Sequence, residues 1–126
     1  MGYYTNYEFG TKGNKTYKVK DIVSYMKEQY KKSNEDKFYP FSYEFEYYLN
    51  DESTYDFELN SDGDVKWYYS DEEMIELSKQ FPETVFYLYG VGEESGDLWY
   101  AYYKNGKSQF CPATITYESY DESKLI

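Results

Sequence analysis

Six carboxylates crowd the middle of the chain: Glu44, Glu46, Asp56, Glu58, Asp62 and Asp64. Side chains of this type support three kinds of chemistry. Two can act as acid and base in glycoside hydrolysis, several can ligate a hard cation, and a row can meet a basic partner. Hydrolysis needs one pair set apart by a motif, and no motif marks any pair here. Calcium needs a loop closed by a bidentate Glu. Glu58-Leu59-Asn60-Ser61-Asp62-Gly63 imitates the first half of such a loop, but Tyr69 stands where that Glu is required. Asp62-Gly63 is already explained as a hairpin-turn signal. The third use remains.

The other chemical residues narrow the field further. The chain has no His and no Arg, which removes the commonest general base, the serine triad and the guanidinium clamp of phosphoryl transfer. A single cysteine, Cys111, cannot build an ordinary zinc site or an internal disulfide. It reads as a small buried hydrophobe. The glycine-containing stretch Gly90-Val91-Gly92-Glu93-Glu94-Ser95-Gly96 has the wrong spacing for dinucleotide binding, and its acids repel phosphate. The expectation is a non-enzymatic protein with no cofactor and no metal.

Aromatic residues are the second unusual feature. They make up 24 % of the chain and 20 of them are Tyr, so Tyr is expected to replace aliphatic residues in a half-buried role. Tyr3, Tyr4, Trp67, Tyr68, Trp99 and Tyr102 are the candidates for stacking a planar ligand such as a nucleotide signal. Phosphate would have to fall to lysines, which concentrate at Lys12, Lys15, Lys18 and Lys20 and in the first helix.

The elements that position these residues follow from periodicity. Ser70 with Glu73 forms a capping box, and Met74, Leu77 and Phe81 repeat at helical spacing until Pro82 stops the helix. Thr84–Tyr89 is a central strand, and Leu98–Lys104 answers it. Asn105-Gly106 turns the chain into Lys107–Phe110. Upstream, Gly2–Phe9 reads as a strand. Asp21 caps a helix carrying Ile22, Tyr25, Met26, Gln29 and Tyr30 on one side.

Phe41–Leu49 alternates inward Phe41, Tyr43, Phe45, Tyr47 and Leu49 with outward Ser42, Glu44, Glu46 and Tyr48, which predicts a strand. Strands over 55–60 and 65–69 follow as a hairpin around Asp62-Gly63, and Thr114–Tyr117 is a last one. The order β-α-β-β-β-α-β-β-β predicts a single α+β domain over residues 1–126. It has an antiparallel sheet of about six to seven strands with two helices on one face, ferredoxin-like with an added hairpin.

On that reading Glu44, Glu46, Asp56 and Glu58 share one outward face of a strand pair. Like charges across a ladder destabilise it, so the arrangement calls for a reason. One reason is a basic partner, to which a row of carboxylates resembles a phosphate backbone. The other is solubility for an aromatic-rich chain. Net charge is −11, and it is uneven. Residues 1–40 hold eight lysines against five acids, whereas residues 41–76 hold twelve acids and one lysine. The basic first helix (Lys27, Lys31, Lys32) of one copy could therefore lie on the acidic 41–64 region of another, which predicts a homodimer. No apolar run approaches the roughly 20 residues of a membrane span, and a lone cysteine fits a reducing compartment, so the expected location is cytoplasmic.

The opening MGYYTNYEF and the block KWYYSDEEMIELSKQFPETVFYLYGVGEESGDLWYAYYKNGK resemble small uncharacterised proteins of bacteriophages and prophages. The resemblance carries no activity with it. It implies a setting, a bacterial cytoplasm during infection. It also implies a role of binding a host protein, for instance as an anti-defence inhibitor of the DNA-mimic or anti-CRISPR kind that meets a basic, nucleic-acid-binding target without touching nucleic acid itself.

Overall fold

A computed structural model of the chain describes residues 3–50 and 56–126. Its frame is set by strict two-residue alternation in three strands, β1 (Thr5–Lys12), β3 (Val85–Gly92) and β4 (Leu98–Lys104). In β1 the odd residues point one way, and Tyr7 and Phe9 are buried. Phe9 is registered with Leu88, and Leu88 with Ala101. One face therefore carries Tyr7, Phe9, Phe86, Leu88, Ala101 and Tyr103, all buried. With β2 (Glu58–Asn60) and β5 (Lys107–Pro112) the sheet runs β2-β1-β3-β4-β5, every neighbouring pair antiparallel.

The helices cover that face. In α1 (Val19–Lys32) the residues Val19, Ile22, Val23 and Met26 are buried, and Lys31 and Lys32 close the C-terminal turn, where the helix dipole favours cations. Asp21 sits in the first turn and Lys18 takes the cap position, so Asp21 is not the cap that the sequence indicates. Helix α3 (Ser70–Gln80) buries Met74 and Leu77. Its Asp71 accepts a hydrogen bond from the Tyr103 hydroxyl at 2.9 Å, tying its first turn to β4. These side chains form one hydrophobic cluster with the inner sheet face.

Three predicted strands do not form. Residues 41–49 are helical, a 3₁₀ turn over Tyr39–Glu44 followed by α2 (Phe45–Leu49). Their alternation also contains a helical period, because Phe38, Phe41 and Phe45 recur every three or four residues and all three are buried. Val65 makes only an isolated bridge to Thr5, so 65–69 is not a strand. Gly63 does turn, at φ +71°, but the turn loops out of an edge strand, since Asn60 and Val65 both pair with β1. Residues 113–121 have no regular structure.

The described residues hold five strands and three α-helices. β2 and β3 are both antiparallel to β1, which lies between them, and α3 joins them. The first strand begins at Thr5 in place of Gly2. The start of the 55–60 strand at Tyr55 lies outside the described residues.

The core is aromatic, but not in the expected way. Of eight phenylalanines, six (Phe9, Phe38, Phe41, Phe45, Phe57 and Phe86) are buried, whereas among the tyrosines of the described residues the buried ones are Tyr7 and Tyr103. Phenylalanine fills the interior and tyrosine is sorted to its rim. Phe9 anchors the arrangement, with ring centroids 5.6 Å from Phe41, 5.8 Å from Phe57 and 5.9 Å from Phe86.

One carboxylate joins the layers. Glu73 does not close a capping box on Ser70. It turns inward, 6 % exposed, and its Oε1 accepts from the Phe38 N–H at 2.7 Å and from Trp67 Nε1 at 3.0 Å. Phe38 has φ +59°, a left-handed conformation that costs a non-glycine residue about 1–2 kcal/mol. The bond to Glu73 and the buried ring hold it there. Burial raises the Glu73 pKa above the ordinary 4.5, against the opposing effect of the two N–H donors.

The folded state therefore binds this proton more readily than the unfolded chain. Stability from this group rises as pH falls through the raised value towards 4.5 and is lost as pH rises through it. Glu73→Ala strands two buried donors and is expected to destabilise by about 2–4 kcal/mol, whereas Glu73→Gln keeps an acceptor and loses about 1 kcal/mol or less. Urea unfolding between pH 4 and pH 7 checks both, and the Gln variant should lack the gain at low pH.

Candidate functional site

The same alternation that fills the core leaves the opposite face of the sheet to tyrosine. Tyr87 and Tyr89 on β3, and Tyr100 and Tyr102 on β4, alternate with the buried residues and lie on the face away from the helices. The rings of Tyr89 and Tyr100 are 4.7 Å apart, those of Tyr87 and Tyr100 are 6.2 Å apart, and Tyr100 and Tyr102 lie 5.9 Å apart with planes 9° from parallel. Antiparallel sheets that face water on one side normally carry small polar or charged residues there. Four adjoining phenol rings are a different kind of surface.

The neighbours on this face are ordered by charge. On the β1 and β2 side stand Glu8 and Glu58, registered across Gly10 and Asn60. Towards the β4–β5 turn stand Lys12, Lys104 and Lys107. The Lys12 ammonium lies 5.7 Å from the centre of the Tyr102 ring. Glu8, Lys12, Tyr87, Tyr100 and Tyr102 line a shallow hollow of about 230 Å³. An adjoining hollow of about 620 Å³ includes Lys12, Tyr102, Lys104, Lys107, Gln109 and Cys111. Cys111 is half-buried at this edge, not in the core.

Backbone shape sets the position of Tyr87. Its ring lies over Gly10, where a Cβ would come within 2.6 Å of the ring and 2.8 Å of the Phe57 carbonyl oxygen. Any larger residue at position 10 would displace it. The Tyr87 hydroxyl donates to Glu8 Oε2 at 3.2 Å. Burial, and then the charge and hydrogen bond of Glu8, push its pKa well above the ordinary phenol range. Tyr100 is also raised, by desolvation and then by Glu8.

The predicted acidic row is not assembled. Because 41–49 is helical, Glu44 and Glu46 do not face Asp56 and Glu58 across a ladder. Glu44 accepts from the Asn60 N–H at 3.0 Å, and Glu46 pairs with Lys27 of α1. Asp56 serves the fold, accepting from Thr11 Oγ1 at 2.9 Å, Gly13 N–H at 2.9 Å and Asn14 N–H at 2.8 Å. Desolvation alone would raise its pKa, but these three donors outweigh it and hold the carboxyl below its usual range. Glu58 lies on the tyrosine face. Asp62 and Asp64 are exposed in the looped turn. Of the three lysines expected to make a homodimer contact, Lys27 binds Glu46 and Lys32 binds Glu28 within the chain, and Lys31 lies 5.9 Å from the centre of the Tyr30 ring.

The six predicted stacking residues are also dispersed. Trp67 is 5 % exposed, held edge-on by Tyr7 and Phe41. The Tyr3 hydroxyl donates to Asp97 at 2.6 Å and accepts from the Glu94 N–H at 2.9 Å, pinning the 93–97 loop. Tyr4 lies under the Lys66 ammonium at 4.6 Å, and Tyr68 is exposed. Trp99 faces the helix side, packed across Gly90 and against Phe110. Only Tyr102 belongs to the tyrosine face. Tyr87, Tyr89 and Tyr100 were legible from strand parity alone, by reading the residues between the apolar ones.

No protein-family model, curated protein or solved structure matches the chain. Among the described residues no helix is long and apolar enough to cross a membrane, and no group of three His, Cys, Asp or Glu is placed to hold a metal ion.

The link between Tyr87 and Glu8 is open to titration. In the phenolate absorbance of the wild type minus that of Tyr87→Phe, the missing phenol should ionise well above the ordinary 10. Glu8→Gln removes the charge and the anionic acceptor and should lower that value without restoring it fully, because the desolvation remains. An ordinary phenol titration for Tyr87 in the wild type would contradict the geometry.

Proposed function

We propose that the chain is a non-catalytic binding protein that meets a protein partner with the tyrosine-lined open face of its sheet. The observation that carries this reading is the set of four adjoining tyrosines, Tyr87, Tyr89, Tyr100 and Tyr102, on a sheet face left outside the hydrophobic cluster. Tyrosine supplies large contact area with few rotors to immobilise and a hydroxyl for orientation, which is why it dominates interface energetics. A chain without His or Arg lacks the usual means of acid–base or phosphoryl chemistry.

The net charge of −11 favours a basic partner by long-range steering and disfavours direct contact with nucleic acid. In the setting implied by the phage-like segments, that partner is a basic host protein in the bacterial cytoplasm, and the chain acts as its inhibitor. The contact differs from an acidic, DNA-like row. Tyrosines make the core of the interface, with Glu8 and Glu58 at its rim.

A second reading is favoured by the lysines. Tyr102 lies between Lys12, Lys104 and Lys107 in the larger hollow, an arrangement that suits a planar anionic ligand such as a nucleotide, with its base on the ring and its phosphate among the ammonium groups.

Capture from bacterial lysate at low salt separates these. Tyr100→Ala with Tyr102→Ala should reduce retention of the captured protein by about 30-fold or more, the loss expected when hot-spot side chains are truncated. Glu44→Gln with Glu46→Gln should leave it nearly unchanged. The reverse pattern would overturn the reading. A nucleotide that raises the melting temperature of the wild type, but not of Lys12→Gln with Lys107→Gln, would favour the second reading.

A further inference from the structure

Phe110 is the phenylalanine that this fold does not bury. Six of the eight are in the core and Phe81 packs against it, but Phe110, on the helix side of β5, is 63 % exposed and touches Trp99 at 5.5 Å between ring centroids. Beyond it, residues 112–126 are exposed throughout. Ile115 is 51 % exposed, Tyr117 91 %, Tyr120 76 % and Leu125 64 %. The segment leaves the body beside the 93–97 loop, with the Ala113 N–H donating to the Leu98 carbonyl at 2.8 Å and Ile115 near Gly96. A run of apolar side chains without cover is a contact surface awaiting its other half.

The two edges of the sheet are treated differently. The outer edge of β2 is closed by side chains: the Tyr43 and Tyr48 hydroxyls donate to the carbonyls of Asn60 and Glu58, and Glu44 accepts from the Asn60 N–H. The other edge is β5, six residues with no further strand beside it among the described residues. An edge left open in this way is a template for another strand.

We propose that β5 pairs antiparallel with β5 of a second copy, and that each segment 113–126 runs onto the other copy. A two-fold axis allows only antiparallel pairing of a strand with itself. That geometry places the Pro112 end of one strand beside the Lys107 end of its mate. The segment leaving Pro112 carries Asp121 and Glu122, with Glu118 paired to Lys124 of the same segment, and it passes the turn where the partner copy displays Lys104 and Lys107, both exposed. On the helix side the two Phe110 rings come together beside Trp99 and are covered. The tyrosine face lies on the opposite side of the sheet, so dimerisation leaves it open to a partner, and the two readings stand or fall separately.

Sedimentation velocity of the full chain over a range of concentrations tests this. A dimer is expected, weakening as salt rises. Phe110→Asp should weaken it at least tenfold with an unchanged far-ultraviolet spectrum, since the ring is outside the core, and Lys107→Glu should weaken it less. Hydrogen exchange of the wild type gives a reading that needs no variant: the amides of Ser108 and Phe110, which alternate with the residues bonded to β4 and face the open edge, should be protected at dimer concentrations and released on dilution. A monomer at every concentration, a dimer indifferent to Phe110→Asp, or Ser108 and Phe110 amides whose exchange ignores concentration would each overturn the proposal.

Discussion

The two-residue period of a β-strand is the constraint on which this molecule is built. Once Phe9, Phe86, Leu88 and Ala101 are committed to the core, the pleat assigns Glu8, Tyr87, Tyr89, Tyr100 and Tyr102 to the opposite face. A shift of one residue in the pairing of β3 with β4 would exchange the two sets, taking Leu88 to solvent and Tyr87 into the core. The hydrophobic demand of the inner face therefore fixes the register, and the register fixes the outer surface. The tyrosine face is held as rigidly as the core because both belong to the same three strands. A contact surface on such a scaffold needs little ordering when it binds.

Phenylalanine and tyrosine divide the structure between them for a simple reason. A buried phenol needs a partner for its hydroxyl, as Tyr103 finds in Asp71, whereas a buried phenyl ring needs only packing. Glu73 is the one buried carboxylate among the described residues. It draws Phe38 into a left-handed turn and holds Trp67 upright, and these two residues deliver Phe41 and Phe45 to the core by a helical path. The same path releases Tyr43, Tyr48 and Glu44 to close the β2 edge.

Local signals in the sequence were reliable where structure is local. Asn105-Gly106 turns β4 into β5 with both residues at positive φ, and Ser70 to Gln80 is helical as its spacing indicates. The 41–49 segment shows the opposite case. Its alternation fits a strand and its Phe38-Phe41-Phe45 spacing fits a helix. What decides between them is a bond to Glu73, 35 residues from Phe38. Glu73 was itself hidden by a good local explanation, the capping box with Ser70. Asp62-Gly63 gave a true turn and a false hairpin, because the strand that β2 joins is β1. The acidic row was lost together with the strand it depended on. The tyrosine face, in contrast, is present in the parity of two correctly read strands, and of the six expected stacking residues Tyr102 alone lies on it.

The central claim is that the outward tyrosines of β3 and β4, and not the acids of residues 44–64, make contact with the partner. Chemical footprinting of the complex by mass spectrometry compares the two surfaces in one sample, with a tyrosine reagent and a carboxyl reagent. The account predicts that Tyr100 and Tyr102 lose reactivity on binding, while Tyr47 and Glu46, exposed on α2, react as in the free protein. Unchanged reactivity at Tyr100, with protection at Glu46 and Asp62, would contradict it.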